Sequence, residues 1–362
     1  MSANPTVLHH VSYDADRGGI MSVVHALADT QKFACILGVN TGFVYRRDAA
    51  LPVLELPAFE GEVINLRNLW HARTGAREVQ NWLRADPTRV FHGHSRAGLL
   101  VGLWLNRWKE QRLVVSVHCY GRQRWFYRWV ARKLGNKLFW LSPAMRRYYG
   151  VLGSGDDWAQ CIPECVSIKT ESPAHVVEDG RVRVAGVGFL TEWKGWHIVV
   201  EALALLPEAT RARLKFRHIG PVGATSESAR YAEDLFARTK QAGLSEVIQW
   251  IGEQPSSASL LSESDCLVVA SRNEPFSLAM LEALFAGVPV VAADSGGATD
   301  LIEPPKNGLL FKTGSPGDLA RVLRSLVETD ALSKVRIDRE ALRRFDASAV
   351  AAQWVEVYAR LL

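Results

Sequence analysis

Short apolar runs recur along this chain. Each is followed by a polar turn and then by a segment whose apolar positions return every three or four residues. In the first half, Val7–Val11, Phe33–Leu37, Val53–Leu56, Arg89–Phe91, Leu113–Val117 and Lys137–Leu141 read as strands. Between them Ile20–Ala28, Asn68–Leu83, Gly98–Trp108 and Gln123–Leu134 carry helical periodicity. The stretch Val166–Gly180 is polar, holds Pro173 and has no period, which marks a linker. The pattern then restarts with strand Val182–Val187, helix Trp196–Leu206, strand Leu214–Ile219, helix Ser228–Ala242 and strand Val247–Trp250. Two more apolar runs follow, Asp265–Ala270 and Val288–Ala292. Strands alternating with helices build parallel sheets with right-handed crossovers. The expectation is therefore an α/β protein of two domains, 1–165 and 181–345. The tail 346–362 carries Val350, Trp354, Val357, Tyr358 and Leu361 at helical spacing and reads as a last helix.

The segment Glu274-Pro-Phe-Ser-Leu-Ala-Met-Leu-Glu282 lies between the last two apolar runs. It reads as the turn and helix of a β-α-β unit, with Pro275 suited to the first helical turn. Glu274 then stands at the carboxyl end of a strand, the edge where open α/β sheets bind ligands. Helix amides there favour an anion, above all a phosphate. A carboxylate at the same place suits neighbouring hydroxyls instead. A polyol attached to a phosphate, such as a nucleotide sugar, satisfies both. Taken alone, the two glutamates read equally well as a helix-dipole partner and a solvated surface residue.

The flanks decide between these readings. Ala286-Gly287-Val288-Pro289-Val290-Val291 ends the helix and opens a strand, Ser295-Gly296-Gly297 makes a second glycine turn, and Asn307-Gly308-Leu309-Leu310 follows. In order and spacing these resemble glycosyltransferase family 4. That resemblance implies a GT-B fold, in which two Rossmann-like domains face a cleft and a C-terminal helix returns to the N-terminal domain. It also implies a retaining, nucleotide-sugar-dependent transferase that needs no metal or other cofactor. In the family pattern Glu274 contacts hydroxyls of the donor sugar and Glu282 the ribose. Amides of Phe276, Ser277 and Leu278 meet the sugar or phosphates. Ser277 replaces the usual glycine, which is tolerable unless that position needs a positive φ.

The resemblance extends to other residues. Gly18-Gly19 matches the glycine-rich loop facing the donor diphosphate and the acceptor. The preceding Asp14-Ala15-Asp16 has the spacing of a divalent-metal pair but reads as a loop feature, with Asp16 near the acceptor. Lys194 matches a lysine that grips the leaving diphosphate, while the partnering arginine position holds Phe189. That departure removes a bidentate partner for developing charge. His118 matches a histidine contacting the donor sugar near the reacting carbon. His92 and His94 match cleft-lining residues and are expected to pack with one hydrogen bond each. Gly252, in Ile251-Gly252-Glu253, matches the base-binding turn. A dinucleotide-dependent dehydrogenase is disfavoured because Gly186-Val187-Gly188 lacks its third glycine, with Thr191 in that place.

Composition refines the picture. The chain has 362 residues, 48% of them hydrophobic, enough for two cores. Met1–Pro5 lacks the basic head and apolar stretch of a secretory signal. The five cysteines form no framework or complete zinc spacing, so reduced thiols in a cytoplasmic protein are expected. The net charge of +5 is uneven: residues 1–165 hold 21 Lys/Arg against 13 Asp/Glu. No acidic residue occurs from Gln111 to Gly155, where Arg122, Arg124, Trp125, Arg128 and further basic and aromatic residues interleave. Phe126 and Trp129 sit at buried-looking spacing. This pattern suits an anionic membrane surface, and no nucleic-acid motif accompanies it. The combined expectation is a glycosyltransferase, peripheral at the cytoplasmic membrane face, with a nucleotide-sugar donor and a glycan or lipid-linked acceptor. Its product would be a cell-surface polysaccharide or lipopolysaccharide. The alternatives are an inactive nucleotide-sugar-binding scaffold and a sugar-nucleotide epimerase.

Overall fold

The computed structural model describes residues 4–16, 18–45, 50–57, 64–151, 158–167, 180–329 and 331–362. Most of the expected linker, residues 168–179, lies outside these. Backbone contacts divide the chain into two units, Met1–Ser167 with Arg344–Leu362, and Ile168–Arg343.

The first unit is built on β1 (Thr6–His10), β2 (Ala34–Asn40), β3 (Val53–Leu56), β4 (Arg89–Gly93), β5 (Leu113–Val117) and β6 (Leu138–Trp140). They form one parallel sheet in the order β3-β2-β1-β4-β5-β6. Its central strands are apolar because both faces are covered, with Val7, Leu8, Val90 and Val115 fully buried. The order reverses between β1 and β4, so the loops at their carboxyl ends diverge and leave room for a ligand. Helices Leu66–Arg84 and Arg96–Arg107 begin where the Asn65 and Ser95 side chains accept from Asn68 and Gly98 N–H. Helix Pro143–Tyr149 was not expected. Ser142 caps it and Pro143 holds its first position.

The last helix, Ala347–Ala359, belongs to this unit. Trp354 and Tyr358 are buried on it, the Trp354 ring 4.3 Å from that of His92. Tyr358 Oη shares a 2.7 Å hydrogen bond with His92 Nδ1. Aromatic side chains of this size bury enough surface for roughly 4–6 kcal/mol each, before the cost of ordering them.

The second unit repeats the plan with β7 (Val182–Val187), β8 (Leu214–Ile219), β9 (Ile248–Gly252), β10 (Cys266–Val269), β11 (Val290–Ala293) and β12 (Gly308–Phe311). The parallel order is β12-β11-β10-β7-β8-β9, reversing between β7 and β10. Trp196, Leu203, Phe216 and Leu323 anchor its core. Helices Trp196–Ala204, Ser226–Gln241 and Pro316–Glu328 provide three of the crossover layers. Two doubly wound, six-stranded parallel sheets are the architecture that the family resemblance implied.

Candidate functional site

In the second unit the reversal point places Lys194, after β7, against Glu274, after β10. Lys194 Nζ donates to Glu274 Oε2 at 2.8 Å, and Ser271 Oγ donates to the same oxygen at 2.6 Å. Glu274 is 5% exposed. Its Oε1 has no partner among the described residues. The Lys194 ammonium also lies 4.3 Å from the Trp193 ring centre. Lys194, expected on a phosphate, is thus engaged by a carboxylate in this state. Removing one member of such a pair strands a buried charge, at a cost of about 3–5 kcal/mol.

Two glycines set this geometry. Gly195 has φ 74°, and a Cβ there would run into the Ala270 carbonyl. Gly296 has φ 57°, and a Cβ there would run into the Glu274 carbonyl, which accepts from Gly297 N–H at 2.8 Å. The Ser-Gly-Gly turn is therefore a brace under the Glu274 backbone.

The helix following this loop spans Leu278–Phe285, with Ser277 as its cap. Pro275 lies ahead of the cap, not in the first turn as expected, because helical dihedrals begin only after Ser277. Ser277 has φ 76° and ψ 99°, so the position does require a positive φ. Its Oγ accepts from Met280 N–H at 3.4 Å, which offsets part of the strain. Phe276 is fully buried and pins the turn, and Leu278 is half-buried. Glu282 accepts from the Ser257 hydroxyl, linking this helix to the loop after β9. Burial pushes the Glu282 carboxyl above its ordinary range, and the Ser257 bond only partly opposes that. Gly252 ends β9 at φ 90° with open space where a Cβ would stand.

Phe189 offers its carbonyl to Trp196 Nε1–H, and the exposed Arg272 faces Glu192 at 4.0 Å.

In the first unit, Gly18 at φ 99° opens helix Gly19–Asp29 beside the carboxyl end of β1. The Asp14 and Asp16 carboxylates are separately engaged. Asp14 accepts from Asn40 Nδ2 at 2.8 Å, and Asp16 pairs with His25 Nε2 at 3.3 Å. The Asp16 side chain has no exposed surface, which corrects its assignment to the acceptor.

His118, after β5, has both ring nitrogens engaged, with Glu164 Oε1 at 3.1 Å and His94 Nδ1 at 3.0 Å. His94 Nε2 meets His9 Nδ1 at 2.8 Å, and His9 Nε2 meets Cys35 Sγ at 3.5 Å. His92 bonds both Tyr358 Oη and Ser116 Oγ. His92 and His94 therefore make two hydrogen bonds each, where one was expected. Burial lowers His9 to about 3, drives His92 and His94 well below their ordinary value, and raises the Cys35 thiol to about 12. Nitrogens of His9, His92 and His94 lie within 4.8 Å of one another. The His92 and His94 rings, however, stack at 3.9 Å with 29° between their planes. The ring nitrogens of both are already hydrogen-bonded, so a shared metal would have to displace those bonds. His9, Glu164, Ser271 and Ser257 escape sequence reasoning. Only the pairing of His9 opposite His92 in adjacent strands brings the cluster together.

Helix Arg124–Leu134 buries Phe126, Tyr127, Val130 and Leu134. Trp125 is 66% and Trp129 39% exposed, so Trp129 joins the outer face rather than the core as expected. Arg122, Arg124, Arg128, Arg132 and Lys133 are also exposed. Arg146 is buried and bonded to the Val151 and Ala159 carbonyls, so it is not part of that face. No helix among the described residues is long and apolar enough to cross a membrane.

Residues 167–344 match the family described as glycosyl transferases group 1. D-inositol 3-phosphate glycosyltransferase from Jonesia denitrificans is 30% identical over 177 residues, covering 48% of this chain and 42% of that relative. The chain thus spans less than half the length of the curated relatives it matches. Among solved structures, Anabaena HepE in complex with UDP and glucose superposes with a TM-score of 0.73 at 19% identity, covering 98% of this chain and 100% of that one. A lipopolysaccharide outer core galactosyltransferase in its apo form gives 0.71 at 17% identity, covering 99% and 100%.

Proposed function

Residues 167–344 belong to the glycosyl transferases group 1 family, and from that premise we propose that this chain is a retaining, nucleotide-sugar-dependent glycosyltransferase. The observation that carries the reading is the buried Lys194–Glu274–Ser271 constellation at the reversal point of the second sheet. Glu274 Oε1 takes a sugar hydroxyl there. A donor diphosphate draws the Lys194 ammonium from the carboxylate to a phosphate oxygen, where it offsets charge on the leaving group. The half-buried Glu282 carboxylate takes the ribose hydroxyls. No carboxylate is placed as a nucleophile in this scheme. The acceptor attacks from the face the diphosphate leaves, and the departing phosphate takes the acceptor's proton. The related UDP-bound structure supports a nucleotide-sugar donor. The lipopolysaccharide galactosyltransferase supports a glycan or lipid-linked acceptor in cell-surface polysaccharide or lipopolysaccharide synthesis. The exposed Trp125, Trp129 and arginine face supports a peripheral position on an anionic membrane at its cytoplasmic side.

The test is a thermal-shift panel of UDP-, GDP- and ADP-sugars, followed by incubation with membrane lipids and the anomeric configuration of any product. Glu274→Gln and Lys194→Ala should each lower transfer at least about a hundredfold. Transfer at the wild-type rate in either variant, or an inverted product, would overturn the reading. Phe189 in the arginine position favours a second reading, a nucleotide-sugar-binding scaffold. Donor-dependent stabilisation without turnover on any acceptor would select it.

A further inference from the structure

An unbroken line of hydrogen bonds runs through the first unit, from Glu164 through His118, His94 and His9 to Cys35. Counting donors and acceptors gives the line a direction. An ionised carboxylate only accepts, so His118 Nδ1 carries a proton. A neutral imidazole has one N–H, so His118 Nε2 is bare and accepts from His94 Nδ1–H. His94 Nε2 is then bare and accepts from His9 Nδ1–H. His9 Nε2 accepts from the Cys35 thiol. The reverse order needs an extra proton on His118 and leaves His9 donating to sulfur, a weak acceptor. Burial keeps His9 and His94 neutral and Cys35 protonated, as a line of single N–H donors requires in either order. His92 stands outside the line, satisfied by Tyr358 and Ser116.

We infer that Glu164 and His94 are positioning residues that lock His118 as the neutral Nδ1–H tautomer, and that Glu164 thereby fixes the tautomer of His9 two rings away. A bare Nε2 accepts a hydrogen bond and cannot donate one. In this arrangement that lone pair is taken by His94 Nδ1–H, so a ligand at His118 Nε2 has to displace His94 and has to be a hydrogen-bond donor.

The experiment is a long-range proton–nitrogen correlation spectrum of protein labelled with ¹⁵N-histidine, at pH 8, with each ring assigned by its loss in a single-histidine variant. His9, His94 and His118 should all show a protonated Nδ1 and a bare Nε2. An Nε2–H signal dominating any of the three would overturn the inference. In Glu164→Gln the carboxamide can donate as well as accept, so the lock is released. His118 should then show mixed tautomers, and His9 should shift with it although it does not touch residue 164. A His9 that stays unchanged while His118 shifts would sink the coupling. In the double variant with His94→Phe, His9 should no longer respond. If that variant does not fold, the wild-type and Glu164→Gln spectra decide alone. None of these readouts needs donor turnover, so this inference and the transfer reading can fail separately.

Discussion

Ser277 and Glu282 both carry a local cost that the fold tolerates. Ser277 holds a positive φ that side chains other than glycine rarely adopt. Ser277→Gly removes that strain and forfeits only a weak cap, so it should stabilise the second unit by about 1 kcal/mol in denaturant unfolding. Glu282 has its carboxyl raised by burial. Its protonated form is therefore the one the fold prefers. The penalty is absent below the unfolded value of about 4.3 and fully present above the raised folded value. Glu282→Gln should accordingly raise the unfolding temperature at pH 8 and change it little at pH 4, while weakening nucleotide binding. An equal effect at both pH values would contradict the burial argument. The sequence announces both positions through their spacing. It does not reveal the torsion at Ser277, or that Ser257 and Ser271 supply the hydroxyls, because those follow from how separate loops meet.

At the scale of elements, apolar strands were the most legible feature. The bounds of β3, β5, β7 and β8 match the sequence reading to the residue, since each apolar run is closed at both ends by a proline, a glycine or a basic residue. Helices Pro143–Tyr149 and Pro316–Glu328 were missed although each has a serine cap followed by proline. In Ser315-Pro316-Gly317 the Pro-Gly pair also spells a turn, but Leu319, Val322, Leu323, Leu326 and Val327 recur at helical spacing and were the signal that could have found the helix. Helix Arg124–Leu134 was read correctly as a helix, but Trp129 was placed on its wrong face. Its outer residues carry a clear prediction. Reversing Arg124 and Arg128 to glutamate should weaken co-sedimentation with vesicles containing anionic lipid at least about tenfold at low salt. Trp125→Ala should weaken it further, and unchanged sedimentation would remove the membrane assignment.

At the scale of the molecule, the two sheets and the last helix were readable, but the histidine line was not. It depends on β1 lying beside β4 in one register. The last helix also couples the ends of the chain. Deleting residues 347–362 exposes the face that Trp354 and Tyr358 cover. Hydrogen exchange should then show protection lost in β1 and β4 and kept in β7 and β8. Tyr358→Phe, which removes only one hydroxyl from His92, should cost about 1–2 kcal/mol in the first unit.

Because residues 168–343 intervene between the first unit's sheet and the helix that completes its core, the order of translation does not match the order of assembly. Chains truncated before residue 347 and released from the ribosome should therefore hold a folded second unit and a first one that recruits chaperones.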